Sequence, residues 1–250
     1  MTALLAPRNR DVLQTFAWSK VLVGFDFDGT LAPIVADPRR AQLRPSTRTL
    51  LEQVARRYPC VVISGRGYED VRRRVAGLGI KGVIGNHGLE PWHSGARFQR
   101  AVRRWLPQLR RALAAVPGVT VEDKHFSLAI HYRHARRKRE ARAAIARAIE
   151  TLGPVRVIGG KLVFNVLPLG APHKGVALER ERLRLGCDTA IYVGDDETDE
   201  DVFTMQQPGR LLAVRVGQKR GSMAAHHLGS QRDIDRLLAA LLEYRQDRAA

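Results

Sequence analysis

The sequence predicts an α/β fold: a parallel sheet wound on both faces by helices and interrupted by an inserted α+β segment. Three observations predict it. The apolar runs at 21–25, 61–63, 190–194 and 211–216 lack polar alternation, as strands buried on both faces do. Amphipathic stretches of helical length separate them, which gives the βαβ rhythm of a doubly wound sheet. From His87 to about Gly170 that rhythm gives way to the order αββαββ, which suits an open antiparallel sheet with helices on one face.

Residues 8–19 read as a leading helix with Phe16 and Trp18 as packing anchors. The first strand runs straight into Asp26-Phe27-Asp28-Gly29-Thr30-Leu31, and Pro33 and Asp37-Pro38 mark the loop beyond. Pro45-Ser46 opens a helix through Arg57, with Ser46 as its N-cap. The strand at 61–63 ends in Ser64-Gly65-Arg66-Gly67, and a helix over 68–75 follows. A third strand at 82–85 is broken by Asn86-His87-Gly88. Within the insertion, helices are expected over 101–116 and 136–152, with strands at 119–122, 127–132, 155–158 and 162–166. The parent rhythm then resumes with a helix over 173–185 and the strand at 190–194, which ends in Asp195-Asp196. Thr198 with Asp201 three residues on matches a capping box, and a strand at 211–216 and a helix over 234–244 close the chain.

Composition bounds the function. At 250 residues with 44% hydrophobic residues, the chain can bury a substantial core. No run reaches the length of a membrane-spanning helix, and residues 1–10 carry no signal-peptide apolar region, so a cytoplasmic protein with no membrane partner is expected. Cys60 and Cys187 are the only cysteines, each beside a buried strand, and read as free thiols in a reducing compartment. A net charge of +17 raises nucleic acid as a partner, but the arginines fall on amphipathic helices without interleaved aromatics, so a solvated basic surface is expected and no nucleic acid. Residues 87–170 hold sixteen Lys and Arg against five Asp and Glu, which puts most of the excess where a lid over an anion would lie.

Asp26 and Asp28 stand at the carboxyl end of the first strand, where alternation turns positions i and i+2 to the same side. Two anions so close need a cation. A hard metal held by oxygens, a carboxylate nucleophile and a neighbouring proton donor are all open roles, against the plain reading of a solvated Asp-Gly turn. Ser64, Lys174, and Asp195 and Asp196 with Asp199, lie in three further loops or helix starts, and open α/β sheets gather their ligands at such carboxyl edges.

DFDGTL at 26–31, SGR at 64–66, HKG at 173–175 and GDDETDEDVF at 194–203 together resemble the haloacid dehalogenase (HAD) superfamily of phosphatases. GNHGLE at 85–90, EDK at 122–124 and GK at 160–161 extend the resemblance to the trehalose-6-phosphate phosphatase family within it. The resemblance implies a HAD-like Rossmannoid parallel-sheet core formed by residues 1–86 and 171–250, with an inserted α+β cap domain over 87–170 that recognises the substrate. It implies hydrolysis of trehalose 6-phosphate through an aspartyl-phosphate. Asp26 is then the nucleophile and Asp28 the acid and base, while Mg²⁺ is held by Asp26, the Asp28 carbonyl and Asp195. Asp196 and Asp199 orient water on the metal or Lys174, with a first-turn helix charge the other reading of Asp199. Thr30, Ser64, Gly65 and Lys174 contact the phosphate, and Lys174 adds a fixed positive charge for the transition state. Arg66, Asn86, His87 and Gly88 hold the sugar and phosphate from the core side, with a structural hinge the other reading of His87. Glu122, Lys124 and Arg133 reach the distal glucose from the cap.

One position departs from the family pattern. After Gly160-Lys161, where the family shows a glutamate, this chain has Asn165, an amide that both donates and accepts. A carboxylate bonds sugar hydroxyls more strongly. The departure keeps other substrates open: sucrose 6-phosphate, glucosylglycerol phosphate or mannosylglycerate phosphate. Phosphomutase activity and a nucleic-acid-binding protein on a degenerate core are more distant alternatives.

Overall fold

In the computed structural model, which describes residues 1–91, 95–160, 162–205 and 207–247, the apolar runs lie side by side in one seven-stranded sheet. Its strands are β1 (Thr2–Ala3), β2 (Val21–Phe25), β3 (Cys60–Ile63), β4 (Gly82–Ile84), β9 (Thr189–Gly194), β10 (Leu211–Val216) and β11 (His226–Leu228), with β5 to β8 in the insertion. The order is β1-β11-β10-β9-β2-β3-β4 and every neighbouring pair is parallel. All five residues of β2 are buried, because helices cover both faces.

On one face Leu13 and Phe16 of α1 (Arg10–Trp18), Leu51 and Val54 of α2 (Pro45–Arg57), Val71 of α3 (Tyr68–Arg74) and Leu237 and Leu241 of α8 (Ile234–Asp247) close over Val23, Phe25, Val62, Val193 and Val214. The alternate residues Leu22 and Gly24 face the other way, where Leu178 of α6 (Lys174–Arg184) packs over Gly24. From β2 the chain winds outward through β3 and β4, and from β9 through β10 and β11 in the opposite direction. The strand order therefore reverses between β2 and β9, and the crevice at their carboxyl ends is where sheets of this kind bind ligands.

Residues 1–88, with those from 173 onward, form one unit and residues 89–172 another. The second unit has its own sheet, with β5 (Thr120–Asp123), β6 (Leu128–His131), β7 (Val155–Gly160) and β8 (Val163–Pro168) in the order β5-β6-β8-β7, antiparallel throughout. Val102, Trp105 and Leu109 of α4 (Ala96–Leu113) and Ile145 and Ile149 of α5 (Lys138–Glu150) pack on Leu128, Ile130 and Val166. Both helices therefore lie on one face. The alternate residues Glu122, Ala129, Asn165 and Ile158 form a single cross-strand row on the other.

Four local expectations are corrected. Ser46 does not cap α2: its hydroxyl donates to Asp235 Oδ2 at 2.7 Å, and the helix opens on Pro45 after an extended Arg44. The capping box lies two residues earlier than Thr198 and Asp201. Asp196 and Asp199 form it around a 3₁₀ turn at Glu197–Asp199 that leads into α7 (Glu200–Phe203). Phe16 is buried, but Trp18 is 40% exposed and anchors through its indole N–H, which donates to the Tyr244 carbonyl at 2.9 Å. The edge strand β1 and its neighbour β11 have no counterpart in the sequence reading, since both are very short and β11 begins with two histidines. Among the described residues no helix is long and apolar enough to cross a membrane.

Candidate active site

Asp26 extends β2 by one residue, its N–H donating to the Val193 carbonyl of β9 at 2.9 Å. It follows Leu22 and Gly24 in alternation and so faces α6, whose first residue is Lys174. Lys174 is 1% exposed, and its ammonium lies 2.9 Å from Asp26 Oδ1 and 2.7 Å from Asp199 Oδ1. The same Asp199 oxygen accepts from the Tyr192 hydroxyl at 2.8 Å, and Oδ2 accepts from the Asp196 N–H at 2.9 Å. β2, β9, α6 and the turn after β9 thus meet in one buried polar network.

Burial pushes the Asp26 carboxyl well above its ordinary range. Lys174 pulls it back, and Asp199, Asp195 and Asp28 push it further up. Burial also lifts Asp195, with Asp199 and Asp196 adding to it, to about 7. For Lys174 burial opposes the charge, but Asp199 and Asp26 outweigh it and hold the ammonium protonated. Burial raises the Tyr192 hydroxyl too, so it stays a neutral donor.

Carboxylate oxygens of Asp26, Asp195 and Asp199 all lie within 4.8 Å of one another. When all three are ionised, Lys174 stands against them, which leaves a net charge of minus two for a cation to meet. Asp195 Oδ1 is buried without a hydrogen-bond partner among the described residues. An unsatisfied buried oxygen, a net charge of minus two and an all-oxygen donor set suit a hard divalent cation. Gly29, at φ +82°, lies directly against the Asp195 carboxylate, where any Cβ would collide. Glycine there brings the loop after β2 against the loop after β9. Arg215, a buried arginine inside β10, donates to the carbonyls of Asp195 and Asp196 and to Glu200 Oε1 at 2.9 Å, which fixes that loop from behind.

Asp28 lies outside this cluster. Its two oxygens accept from Arg66 Nε at 2.5 Å and Nη2 at 2.7 Å, a bidentate pair, and the Arg66 side chain also donates to Asp70 and to the Pro38 carbonyl. Arg66, expected to hold the substrate, is thus engaged with Asp28. Ser64 is buried and its hydroxyl accepts from the Arg66 N–H at 3.2 Å. His87 is buried with its ring against Gly65, and its N–H donates to the Ser64 carbonyl at 2.9 Å. The Asn86 N–H donates to the Arg66 carbonyl at 2.8 Å. Asn86 and His87 both have positive φ, and Gly88, at +120°, abuts the His173 carbonyl just before Lys174. Thr30 is fully buried, and its hydroxyl has no hydrogen-bond partner among the described residues.

The second unit holds the other expected residues. Glu122 and Asn165 share the cross-strand row that alternates with the α4–α5 core across β5, β6 and β8, with Asn165 buried and Glu122 exposed. Glu122 Oε2 lies 2.8 Å from His131 Nε2, a partner the sequence reading missed. Lys124 sits just past β5 and exposed Arg133 just past β6, while Lys161 lies outside the described residues. Tyr192 and Arg215 were also missed; their signal is a polar side chain inside an otherwise apolar strand.

The trehalose-phosphatase family model matches residues 24–231, nearly the whole span from β2 to the start of α8. This chain belongs to the trehalose-phosphatase family. It is 38% identical over 209 residues to the trehalose-phosphate phosphatase of Mycolicibacterium paratuberculosis, covering 78% of this chain and 53% of that one. To its Mycobacterium tuberculosis counterpart it is 36% identical over 229 residues, covering 82% and 58%. The chain therefore spans a little over half the length of these relatives. Its fold, α/β and HAD-like, is shared with the C-terminal domain of the Candida albicans trehalose-6-phosphate phosphatase, at a TM-score of 0.81 and 24% identity over 97% of this chain and 98% of that one. The sucrose-phosphatase of Synechocystis shares it more distantly, at a TM-score of 0.58 and 16% identity over 91% and 98%.

Proposed function

We propose that this trehalose-phosphatase family member is a cytoplasmic, Mg²⁺-dependent hydrolase of trehalose 6-phosphate that works through an aspartyl-phosphate. The observation that carries the reading is the buried Asp26–Lys174–Asp199 network beside Asp195 at the switch point between β2 and β9. An Asp26 oxygen attacks phosphorus as the bond from phosphorus to the sugar oxygen breaks, and Asp28 gives that oxygen its proton. A water then attacks the phosphoryl group, Asp28 takes a proton from it, and phosphate leaves Asp26. Lys174 balances charge on the transferring group, and Thr30, Ser64 and the Gly65 N–H donate to its oxygens. Held by Asp26, Asp195 and the Asp28 carbonyl, with Asp199 alongside, Mg²⁺ would supply the charge that keeps Asp26 anionic before a dianionic substrate.

In this reading residues 1–86 and 171–250 form the catalytic core and residues 87–170 a cap that selects the sugar, with Glu122, Lys124, Arg133 and Asn165 meeting hydroxyls. A second reading, the same chemistry on sucrose 6-phosphate, glucosylglycerol phosphate or mannosylglycerate phosphate, is favoured by buried Asn165, which offers an amide where a carboxylate is expected. Phosphate release from a panel of these esters, with and without Mg²⁺, tests both readings. Trehalose 6-phosphate should give the highest kcat/KM, and Asp26→Asn should abolish turnover with the fold intact. Substantial turnover by that variant would falsify the nucleophile assignment.

A further inference from the structure

The polar chain that leaves the site at Asp28 does not end at Arg66. Arg66 Nη1 donates to Asp70 Oδ2 at 2.8 Å, and Asp70 Oδ1 accepts from Arg74 Nε at 3.0 Å. Arg74 donates in turn to the carbonyls of Ala41 and Arg39. The Phe27 ring lies beneath both guanidinium groups, 5.6 Å from Arg66 and 5.9 Å from Arg74.

Beyond Arg74 opens a cleft of about 500 Å³ lined by Gln42, Leu43, Arg48, Asp70, Arg73 and Arg74. Its one carboxylate is already shared between Arg66 and Arg74. Counting Asp28 against Arg66 and Asp70 against Arg74 leaves Arg48 and Arg73 as surplus charge. Their hydrogen bonds run to neutral main-chain carbonyls, Arg48 to those of Arg74 and Ala76 and Arg73 to that of Glu69. A concave site with two uncompensated positive charges and planar forks of N–H donors matches a tetrahedral dianion.

We propose that this cleft is a second anion site, which binds a phosphate dianion, either free or carried on a small molecule, and is coupled to Asp28 through Asp70 and Arg66. A dianion that draws Arg74 toward itself leaves Asp70 to Arg66 alone. Arg66 then shifts toward Asp70 and relaxes its bidentate hold on Asp28, which frees that carboxylate to move. The site stands on its own geometry; its coupling to turnover rests on the function proposed above.

The first test is calorimetric titration of orthophosphate into metal-free protein, with Asp26→Asn as the control that tells this cleft from the cluster at Asp26. One equivalent should bind wild type. Binding should weaken at least roughly tenfold in Arg48→Ala/Arg73→Ala, the loss of one charge-assisted hydrogen bond or more, and stay unchanged in Asp26→Asn. Both arginines are exposed, so the double variant should melt with wild type. A parallel titration with glucose 6-phosphate, read as the tighter or weaker ligand, separates a carried phosphate from a free one. Failure of wild type to bind either probe, equal binding by the double variant, or loss of binding in Asp26→Asn would overturn the site. In turnover assays sulfate, an unreactive dianion, should raise wild-type kcat saturably and leave the double variant unaffected. A flat wild-type response would overturn the coupling.

Discussion

Chelation should expose a pH-dependent weakness in this fold. In the folded protein burial and the neighbouring Asp199 and Asp196 lift the Asp195 carboxyl from 3.8 to about 7. Because the folded-state value lies above the unfolded one, the proton is retained on folding over that window, and stability falls as pH rises through it. Below pH 3.8 the group is protonated in both states and costs nothing. Between there and pH 7 each pH unit removes about 1.4 kcal/mol, so the loss reaches about 4 kcal/mol and is complete above pH 7. Asp26 shifts in the same direction and adds to the effect. For a chain of this size 4 kcal/mol corresponds to a melting-temperature drop of about 10 °C. The assay is the urea midpoint from pH 4.5 to 8, with chelator and with saturating Mg²⁺. A divalent ion binds the ionised cluster and so should flatten the slope, and Asp195→Asn should flatten it without metal. If the chelated wild type keeps a level midpoint across the window, or if Asp195→Asn keeps the wild-type slope, the charge account of the cluster is wrong.

Lys174→Met should destabilise metal-free protein by about 3–5 kcal/mol near neutral pH, because it strands Asp26 and Asp199; urea unfolding measures the loss, and a cost under ~1 kcal/mol would contradict the pairing. Tyr192→Phe removes the buried donor to Asp199 and should cost about 1–3 kcal/mol in the same assay while weakening divalent-ion binding measured by calorimetry. Gly29→Ala should keep the far-ultraviolet circular dichroism of wild type but lose divalent-ion affinity, since its Cβ meets the Asp195 carboxylate; undiminished affinity would exclude that contact. Asn165→Asp should change KM for sugar phosphates more than kcat, and a kcat-only effect would move Asn165 out of substrate recognition.

What could be read from the sequence follows from how local each signal is. The buried strands were legible because two covered faces demand a mostly apolar run: β2 and β3 comply throughout, and β9 and β10 comply apart from a few polar positions such as Tyr192 and Arg215. The acids at their ends were legible because a charged residue directly after such a run stands at the sheet edge. The pairing of Asp28 with Arg66 was not legible, because the two lie 38 residues apart and nothing local marks a bidentate pair across that gap. The capping box was misplaced for a related reason. Thr198 and Asp201 have the right spacing, but Asp196 and Asp199 have it too, and packing against β9 decides between them. Ser46 was read as a cap from its neighbours alone, while its true partner, Asp235, lies near the far end of the chain. Arg215 and Tyr192 hide inside apolar strands, where a single polar residue reads as noise until its partner is known.

The approach of Gly88 to His173 has a bearing on how such a protein can change over generations. The chain departs from its parent sheet and returns to it through a single doorway, so the ends of the inserted segment are already side by side. Lengthening or exchanging a segment anchored this way adds little closure entropy, because that cost grows only with the logarithm of loop length. Everything between residues 89 and 172 is therefore open to wholesale replacement by descent, while the acids at the strand ends stay where they are.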